Sequence, residues 1–284
     1  MTPEEHEVRR TAIGASEVSS LLGINPHGSE WELWATKLGK LEPWDGNEAT
    51  KVGNDYERAL LDIAERELGT LTRQYRAKHA TLPMAATLDG YTLDNRPVEA
   101  KTTGLVGPVF GRWGEAGSDE IPDYYLVQVH AQLMCTGADL AYLYALIAGR
   151  GTVRFEIEKS DSVAEMLGNE IANWWDWHIV RGIEPQQSEP PRLEVVKRLR
   201  KVPNKVVALP PEIGTVLAEF ELCKERQKHL TKSKEDCESA ILMALGDAEC
   251  GVLPDGRRVE FMEVVRHMKA KEAYEQRFRQ LRIK

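Results

Sequence analysis

The sequence predicts a mixed α/β fold, in which a sheet of parallel and antiparallel strands is flanked by helices, followed by a C-terminal appendage. Two observations predict it. Stretches with apolar residues at helical spacing alternate with short apolar or alternating runs over the first part of the chain. A proline-containing basic stretch then separates this part from one long helical pattern, a short hairpin and a basic tail.

Three helical stretches come first. Residues 15–23 and 30–40 carry apolar residues at helical spacing, and each stretch ends at a glycine. A longer pattern covers residues 53–68 and ends at Gly69. Glu57 flanks the apolar stripe of this third helix, so its residue type alone fits an ordinary boundary glutamate.

A hairpin follows, and it brings charged side chains together. Two short apolar-rich runs flank Asp94–Pro97, which predicts a turn. Folding that turn places Asp89 across from the Glu99-Ala100-Lys101 segment. Because side chains alternate along a strand, Glu99 and Lys101 share a face and Ala100 points away. Two carboxylates and one ammonium group therefore converge on one spot.

Carboxylate oxygens of this kind are ligands for Mg²⁺, which proteins commonly hold with one or two carboxylates and substrate phosphate oxygens. A lysine beside them can orient a water molecule or stabilise charge on a phosphoryl group. The constellation is consistent with metal-dependent cleavage of a phosphodiester. Taken alone, the same spacing also fits a solvated hairpin surface. Glu99 lies between Val98 and Ala100 in a short apolar stretch, and this position favours a functional site over a solvated surface.

The rest of the main domain continues the α/β alternation. After an irregular, glycine-containing segment at 104–121, the sequence predicts a helix at 122–134, strands at 140–148 and 152–158, and a helix at 161–181. Gln128 and Gln132 lie one turn apart on the first of these helices and share a face. Three tryptophans in the last helix fit core or subunit contacts better than base-stacking platforms; they are Trp174, Trp175 and Trp177.

Three prolines, at 185, 190 and 191, mark the predicted boundary of this domain. The expected division is a main domain at 1–184, a basic proline-containing linker at 185–211, and a C-terminal helical arm at 212–284 with a hairpin at 251–265 and a basic tail. Apolar residues of the long helix approximate a seam that Gln227 and Lys234 interrupt, and this pattern predicts a helix pair or a coiled-coil-like arm.

Charge and cysteine content restrict the class of protein. The net charge is −8, with 17 basic and 29 acidic residues at 1–184 and 20 basic and 16 acidic residues at 185–284. Bound cations and local basic patches can offset such acidity in a nuclease, although charge alone also fits any acidic protein. The four cysteines form no C-x-x-C pair, which argues against structural zinc. No membrane span or signal peptide is recognised, so a cytoplasmic location is expected.

Several segments, in order, resemble one family. They are RRTAIGASEVSSLLGINP from Arg9, SEWELWATKLGK, VGNDYERALLDIAERELG, LDGYTLDNRPVEAKTT, and the stretch from WGEAG to LIAGRG. Together they resemble the YqaJ-like phage recombination exonucleases, relatives of the lambda-type exonuclease in the PD-(D/E)XK nuclease superfamily. The resemblance covers roughly the first two-thirds of the chain.

The resemblance implies a PD-(D/E)XK core at 1–184 and assigns its metal site. Asp89 and Glu99 match the metal-binding acids, Lys101 the catalytic lysine and Glu57 a helical acid, while Ala100 would contribute its backbone carbonyl. The resemblance implies Mg²⁺ as the cofactor, bound as two ions, with Mn²⁺ as an alternative.

The resemblance also implies a pocket for a 5′ phosphate. Arg9, Ser16, Thr87 and Gln128 match its members, with Arg10 as an alternative to Arg9. From its position alone, Gln128 could equally satisfy buried backbone groups, and Ser16 could cap a helix.

The implied function is 5′-to-3′ degradation of one strand of linear double-stranded DNA, which leaves 3′-ended single strands for a phage single-strand annealing protein. The family context further implies a homo-oligomeric ring such as a trimer, and a phage or prophage protein inside a bacterial host. Two other interpretations remain: a structure-specific or restriction-type endonuclease with the same metal site, and a recombination scaffold without activity.

Overall fold

The computed structural model describes residues 10–44, 46–103, 112–187 and 189–262. The chain divides into two compact units, one at Met1–Arg200 and the other at Lys201–Lys284. The first unit is built on a six-stranded sheet in the order β1-β3-β4-β5-β6, with β2 paired to β3. Because β1 and β3 as well as β4 and β5 run parallel while the other pairs run antiparallel, the sheet is mixed, as the sequence predicts.

The strands of the first unit occur singly or in consecutive groups, with helices before, between and after the groups. The strands are β1 (Ile13–Gly14), β2 (Leu71–Lys78), β3 (Met84–Thr92), β4 (Pro97–Thr103), β5 (Leu140–Ile147) and β6 (Gly151–Glu158). The helices are α1 (Val18–Leu21), α2 (Glu30–Lys37), α3 (Glu48–Leu68), α4 (Asp123–Thr136), α5 (Asp161–Trp174) and α6 (Leu193–Lys197). A 3-10 turn, Ala15–Glu17, precedes α1, and a π-helical turn, Trp175–Val180, follows α5.

Helices cover both faces of the sheet. On one face, α3 packs Leu60, Leu61 and Ala64 against Val98 and Ala100 of β4. On the other face, α4 is buried along most of its length because it contacts two apolar clusters. One cluster includes Val127 and Ala131 of α4 together with residues of β3, α2 and α5, and the other includes Val129 and Leu133 together with β5 and β6. The sheet therefore holds α3 and α4 on opposite sides of β4.

The sequence predicted most of these elements and missed three. The predicted helices at 30–40 and 161–181 and the hairpin strands on either side of Asp94–Pro97 are present. The predicted helix at 53–68 begins earlier, at Glu48, where the Asn47 side chain accepts a hydrogen bond from the Thr50 N–H. The missed elements are β1, β2 and α6.

Helix α6 lies in the stretch expected to be a linker. Val195 is buried in the main core, and Leu199 forms an isolated antiparallel bridge with Leu41. The first half of the basic stretch thus packs within the first unit, and the boundary between the two compact units falls after Arg200. The division into domains at residues 184 and 211 stays a prediction.

The second unit contains α7 (Glu212–Leu245) and a hairpin of β7 (Cys250–Val252) and β8 (Arg258–Glu260). The long helix and the hairpin thus lie where the sequence predicts them, while the basic tail and the end of the hairpin stretch at 263–265 lie outside the described residues. Among the residues that the structure describes, no helix has the length and apolar character needed to cross a membrane.

Candidate metal centre

The site forms where the sheet is interrupted beside β3. One edge of β3 pairs with β2 from Thr92 to Ala85. On the opposite edge, β1 pairs only with Met84 and Ala85, while β4 pairs only with Gly90 and Tyr91. Residues 86–89 of β3 therefore face a gap between two strands, and the side chains around this gap can approach one another without a pairing strand in between.

Asp89 lies at the point where β3 and β4 separate. Its Oδ2 accepts a hydrogen bond of 2.9 Å from the Ala100 N–H, so the carboxylate replaces the backbone acceptor that continued pairing would have supplied. Burial and the neighbouring charge of Glu99 raise the pKa of Asp89 well above its ordinary value, against the opposing effects of Lys101 and the Ala100 N–H. The ionised form of a carboxyl group that is buried beside another carboxylate is stabilised by a nearby cation.

Glu99 is 2 % exposed and its carboxylate accepts three side-chain hydrogen bonds. Lys101 Nζ and Gln128 Nε2 both donate to Oε1, the latter at 2.6 Å, while Gln132 Nε2 donates to Oε2. The two glutamines lie one turn apart on α4, so both amides face the same carboxylate. This network fixes the orientation of Glu99 inside the protein.

Lys101 follows Glu99 on the same face of β4, as the strand alternation predicts. Its ammonium pairs with Glu99 and lies 5.2 Å from the centre of the Tyr125 ring. Desolvation disfavours the charged form, but the charges of Glu99 and Asp89 outweigh it and raise the Lys101 pKa. The side chain is therefore a cation held beside two carboxylates.

Glu57 reaches the same cavity from α3. Its Oε1 accepts a hydrogen bond of 3.3 Å from Gln74 Nε2 on β2. Partial burial and the charge of Glu99 raise the pKa of Glu57, while Lys101 lowers it by a smaller amount. The structure thus brings the predicted helical acid into electrostatic contact with the hairpin acids.

One cavity of about 410 Å³ contains these groups. Its lining includes seven of the predicted site residues, which are Ser16, Glu57, Thr87, Asp89, Glu99, Lys101 and Gln128. Arg9 lies outside the described residues. Arg10 is not part of the lining, and its guanidinium lies beside Gly39, 3.5 Å from where a Cβ of that residue would be.

A buried ion pair shapes the segment that carries Ser16. The Lys37 side chain is fully buried, and its ammonium donates to the Glu17 carboxylate and, at 2.7 Å, to the Ala12 carbonyl oxygen. Glu17 Oε2 also accepts the Gly14 N–H at 2.7 Å. These contacts hold residues 12–17 against α2 and define one wall of the cavity.

Three side chains of the site were not among the predicted site residues: Gln132, Gln74 and Lys37. The position of Gln132 one turn after Gln128 is a signal that could have found it. No sequence signal marks Gln74 or Lys37, because an exposed strand glutamine and a helical lysine are ordinary surface residues.

The donor set fits a hard cation only in combination with further oxygen ligands. Among the described residues, no three His, Cys, Asp or Glu side chains are grouped closely enough to hold a metal ion by themselves. Asp89 and Glu99 supply two carboxylates, and backbone carbonyl, water or phosphate oxygens would have to complete the shell. This composition is the one that Mg²⁺ commonly uses, since it keeps several waters or phosphate oxygens.

Residues 6–139 match the family model of the YqaJ-like viral recombinase domain. The chain is also 27 % identical over 255 residues to the protein YqaJ of Bacillus subtilis, covering 86 % of this chain and 78 % of the relative. The resemblance to YqaJ-like recombinases that the sequence segments indicate is therefore confirmed.

Among solved structures, the fold is similar to an alkaline exonuclease from Laribacter hongkongensis, with 18 % identity and a TM-score of 0.48, over 61 % of this chain and 90 % of the other. It is also similar to a phage-related exonuclease from Haemophilus somnus, with 13 % identity and a TM-score of 0.46, over 63 % of this chain and all of the other. Likenesses this distant assign no role to any residue.

Proposed function

We propose that this chain, which carries a YqaJ-like viral recombinase domain over residues 6–139, is a metal-dependent exonuclease that degrades one strand of linear double-stranded DNA from its 5′ end. The observation that carries the proposal is the convergence of Asp89, Glu99 and Lys101 in one cavity at the gap beside β3. The strand polarity and the need for a DNA end come from the family resemblance.

The metal-binding residues in this proposal are Asp89, Glu99 and the Ala100 carbonyl, with Glu57 supporting a second ion through water. Burial first, and then the charge of Glu99, raise the pKa values of Asp89 and Glu57, and a bound cation would offset both effects. We assign Mg²⁺ and two ions, with Mn²⁺ as the alternative metal. The bound metal would lower the pKa of the attacking water and stabilise the leaving 3′ oxygen.

Lys101 is proposed as the catalytic lysine. Its ammonium lies beside the acids with a raised pKa, so it stays protonated at neutral pH. A fixed positive charge at this place would orient the attacking water and offset the negative charge that develops on the phosphoryl oxygens. Glu99, held by three donors, keeps Lys101 near that position.

The 5′ phosphate is proposed to bind in the same cavity, which Ser16 and Thr87 also line. Gln128 lines the same cavity and uses one amide hydrogen on Glu99, which leaves its second amide hydrogen as a donor. Arg9 would complete the pocket with a guanidinium that can bind phosphate oxygens in pairs.

The product of such an enzyme is a duplex with 3′-ended single strands. We propose, from the family resemblance, that a phage single-strand annealing protein receives these strands and that the exonuclease works as a homo-oligomeric ring. The setting would be a bacterial cell carrying a phage or prophage.

The test compares two DNA substrates. Linear duplex and closed circular duplex are incubated with the protein in Mg²⁺ or in chelator, with the Asp89→Asn variant as the matched control. Metal-dependent loss of the linear duplex alone is the expected result. Cutting of the circle would favour the endonuclease interpretation, and an inert wild-type protein that still binds the annealing protein would favour the scaffold.

A further inference from the structure

Two basic side chains of β2 line the cavity and are not part of the site described so far. Arg76 and Lys78 are both exposed and both contribute to the lining. Arg76 lies opposite Thr87 and Lys78 opposite Ala85 in the β2–β3 pairing. Since cross-strand partners share a face of the sheet, the two cations flank the part of the cavity that Thr87 and Ser16 also line.

The backbone of β2 changes at Gln74, just before these residues. Gln74 has φ of 54°, in the left-handed region that a glutamine rarely adopts, and it lies between the Arg73–Gly90 and Tyr75–Leu88 pairs. Its flanking residues Arg73 and Tyr75 keep the regular register, so the irregularity is confined to one residue. Strain of this kind is maintained only where the surroundings impose it, and here it accompanies the contact of Gln74 with Glu57.

The basic residues of β2 on either side of Gln74 have different surroundings. Arg73 pairs with Asp62 and Glu65 of α3 and is not part of the cavity lining, whereas Arg76 and Lys78 are part of it. Arg73 thus serves the packing of β2 on α3. The strand offers a matched comparison, because the same type of residue lies three positions away in a structural ion pair.

The acidic surroundings of Arg76 and Lys78 give their position in the cavity lining a functional meaning. Residues 1–184 carry 29 acidic and 17 basic side chains, and three carboxylates line this cavity. A polyanion approaching them needs compensating cations nearby. Among the described lining residues, the basic ones are Arg76, Lys78 and Lys101.

We propose that Arg76 and Lys78 bind backbone phosphates of the DNA strand that enters the metal site, so that this strand runs along β2 toward Asp89. This inference rests on the proposed nuclease function and adds the path of its substrate. Phosphate contacts fix the position of nucleic acid without reading its sequence. Two residues of a strand span about 7 Å, so the pair presents two separate cations along that path.

The experiment measures binding of a fluorescently labelled linear duplex by polarisation, with Ca²⁺ in place of Mg²⁺ to prevent cleavage, over about 50–200 mM salt. The variants are Arg76→Gln and Lys78→Gln, with Arg73→Gln as the control. Each cavity variant should bind more weakly and should lower the slope of log affinity against log salt by about one. Arg76→Lys keeps a charge and should retain most of the slope.

Arg73→Gln should leave the salt slope unchanged while lowering the melting temperature, because it loses only an ion pair with α3. Circular dichroism confirms that each variant is folded. Wild-type slopes in both cavity variants, alongside metal-dependent cleavage by the wild-type protein, would overturn this inference and leave the proposed function standing. Absence of any DNA binding by the wild-type protein would overturn both.

Discussion

The two glutamines that hold Glu99 should not be equivalent. Oε1 of Glu99 receives hydrogen bonds from Lys101 and Gln128, whereas the side-chain donor to Oε2 is Gln132. Replacing Gln128 by methionine leaves Oε1 with its lysine. Replacing Gln132 by methionine removes the side-chain donor from Oε2 of a carboxylate that is 2 % exposed. Methionine keeps the length of the side chain, so loss of packing contributes little.

The expected loss of stability follows from the charge of Glu99, which accepts the hydrogen bond. A hydrogen bond to a charged group contributes about 1.5–3 kcal/mol, and a buried charge left without its donor costs a similar amount. Gln132→Met should therefore lower the free energy of unfolding of the metal-free protein by about 1.5–3 kcal/mol, which is about 3–12 °C in melting temperature for a domain of this size. Gln128→Met should cost less than half as much, since Lys101 remains.

Metal affinity provides the second measurement. Loss of a group that orients a metal ligand typically weakens metal binding by about 10–100-fold. Titration calorimetry with Mn²⁺ should show that loss for Gln132→Met and a smaller one for Gln128→Met, while Gln128→Met should more strongly affect the preference for 5′-phosphorylated ends. Equal losses of stability and metal affinity in the two variants would refute the assignment of separate donors to the two oxygens.

Three other outcomes are expected. Lys101→Met should slow cleavage by about 10²–10³-fold while duplex binding in Ca²⁺ stays near the wild-type level, and an unchanged turnover rate would exclude its catalytic role. Asp89→Asn in chelator should raise the melting temperature at about pH 8 and have little effect near about pH 3. The pKa of Asp89 is higher in the folded protein than in the unfolded chain, so its ionisation opposes folding only at pH values above the pKa of the unfolded chain. Mg²⁺ should then stabilise the wild-type protein but not this variant. Truncation after Arg200 should leave a folded, metal-dependent nuclease, since the first unit has its own core; an insoluble product would show that the unit needs the rest of the chain.

The hairpin acids could be predicted because they depend on local geometry alone. A turn at Asp94–Pro97 and the alternation of side chains along two strands are enough to bring Asp89 beside Glu99 and Lys101. The family resemblance then added Glu57, which no pattern in α3 distinguishes from any other glutamate at the edge of an apolar stripe. The structure does place Glu57 in the cavity, 3.3 Å from Gln74.

Strand β2 could not be predicted, and the physical reason lies in its position. Among the described strands, it pairs only with β3. Six of its eight residues are exposed, and its sequence LTRQYRAK is correspondingly polar. An edge strand of this kind lacks the apolar alternation that marks a half-buried strand. Its left-handed Gln74 has no sequence signal either, since glycine or asparagine is the usual residue for that conformation.

The burial of the Lys37 side chain could not be predicted from the sequence either. Lysine is almost never fully buried unless it is paired, and the helical pattern of α2 gives no sign that this one is. Its partners, the Glu17 carboxylate and the Ala12 carbonyl, come from a segment about 20 residues earlier in the chain. Such a contact depends on how α2 packs against residues 12–17, which periodicity does not specify.

The choice of amides around Glu99 has a consequence for the metal. In the proposed function, a cation held by Asp89 and Glu99 would bring a second positive charge beside the carboxylate that Lys101 already pairs with. Gln128 and Gln132 are neutral and do not compete by charge. They can hold the carboxylate in the same orientation whether or not a metal is bound. An arginine or lysine at position 132 would instead neutralise Glu99 permanently and lower its affinity for the metal, which is why a neutral donor suits this position better than a charged one.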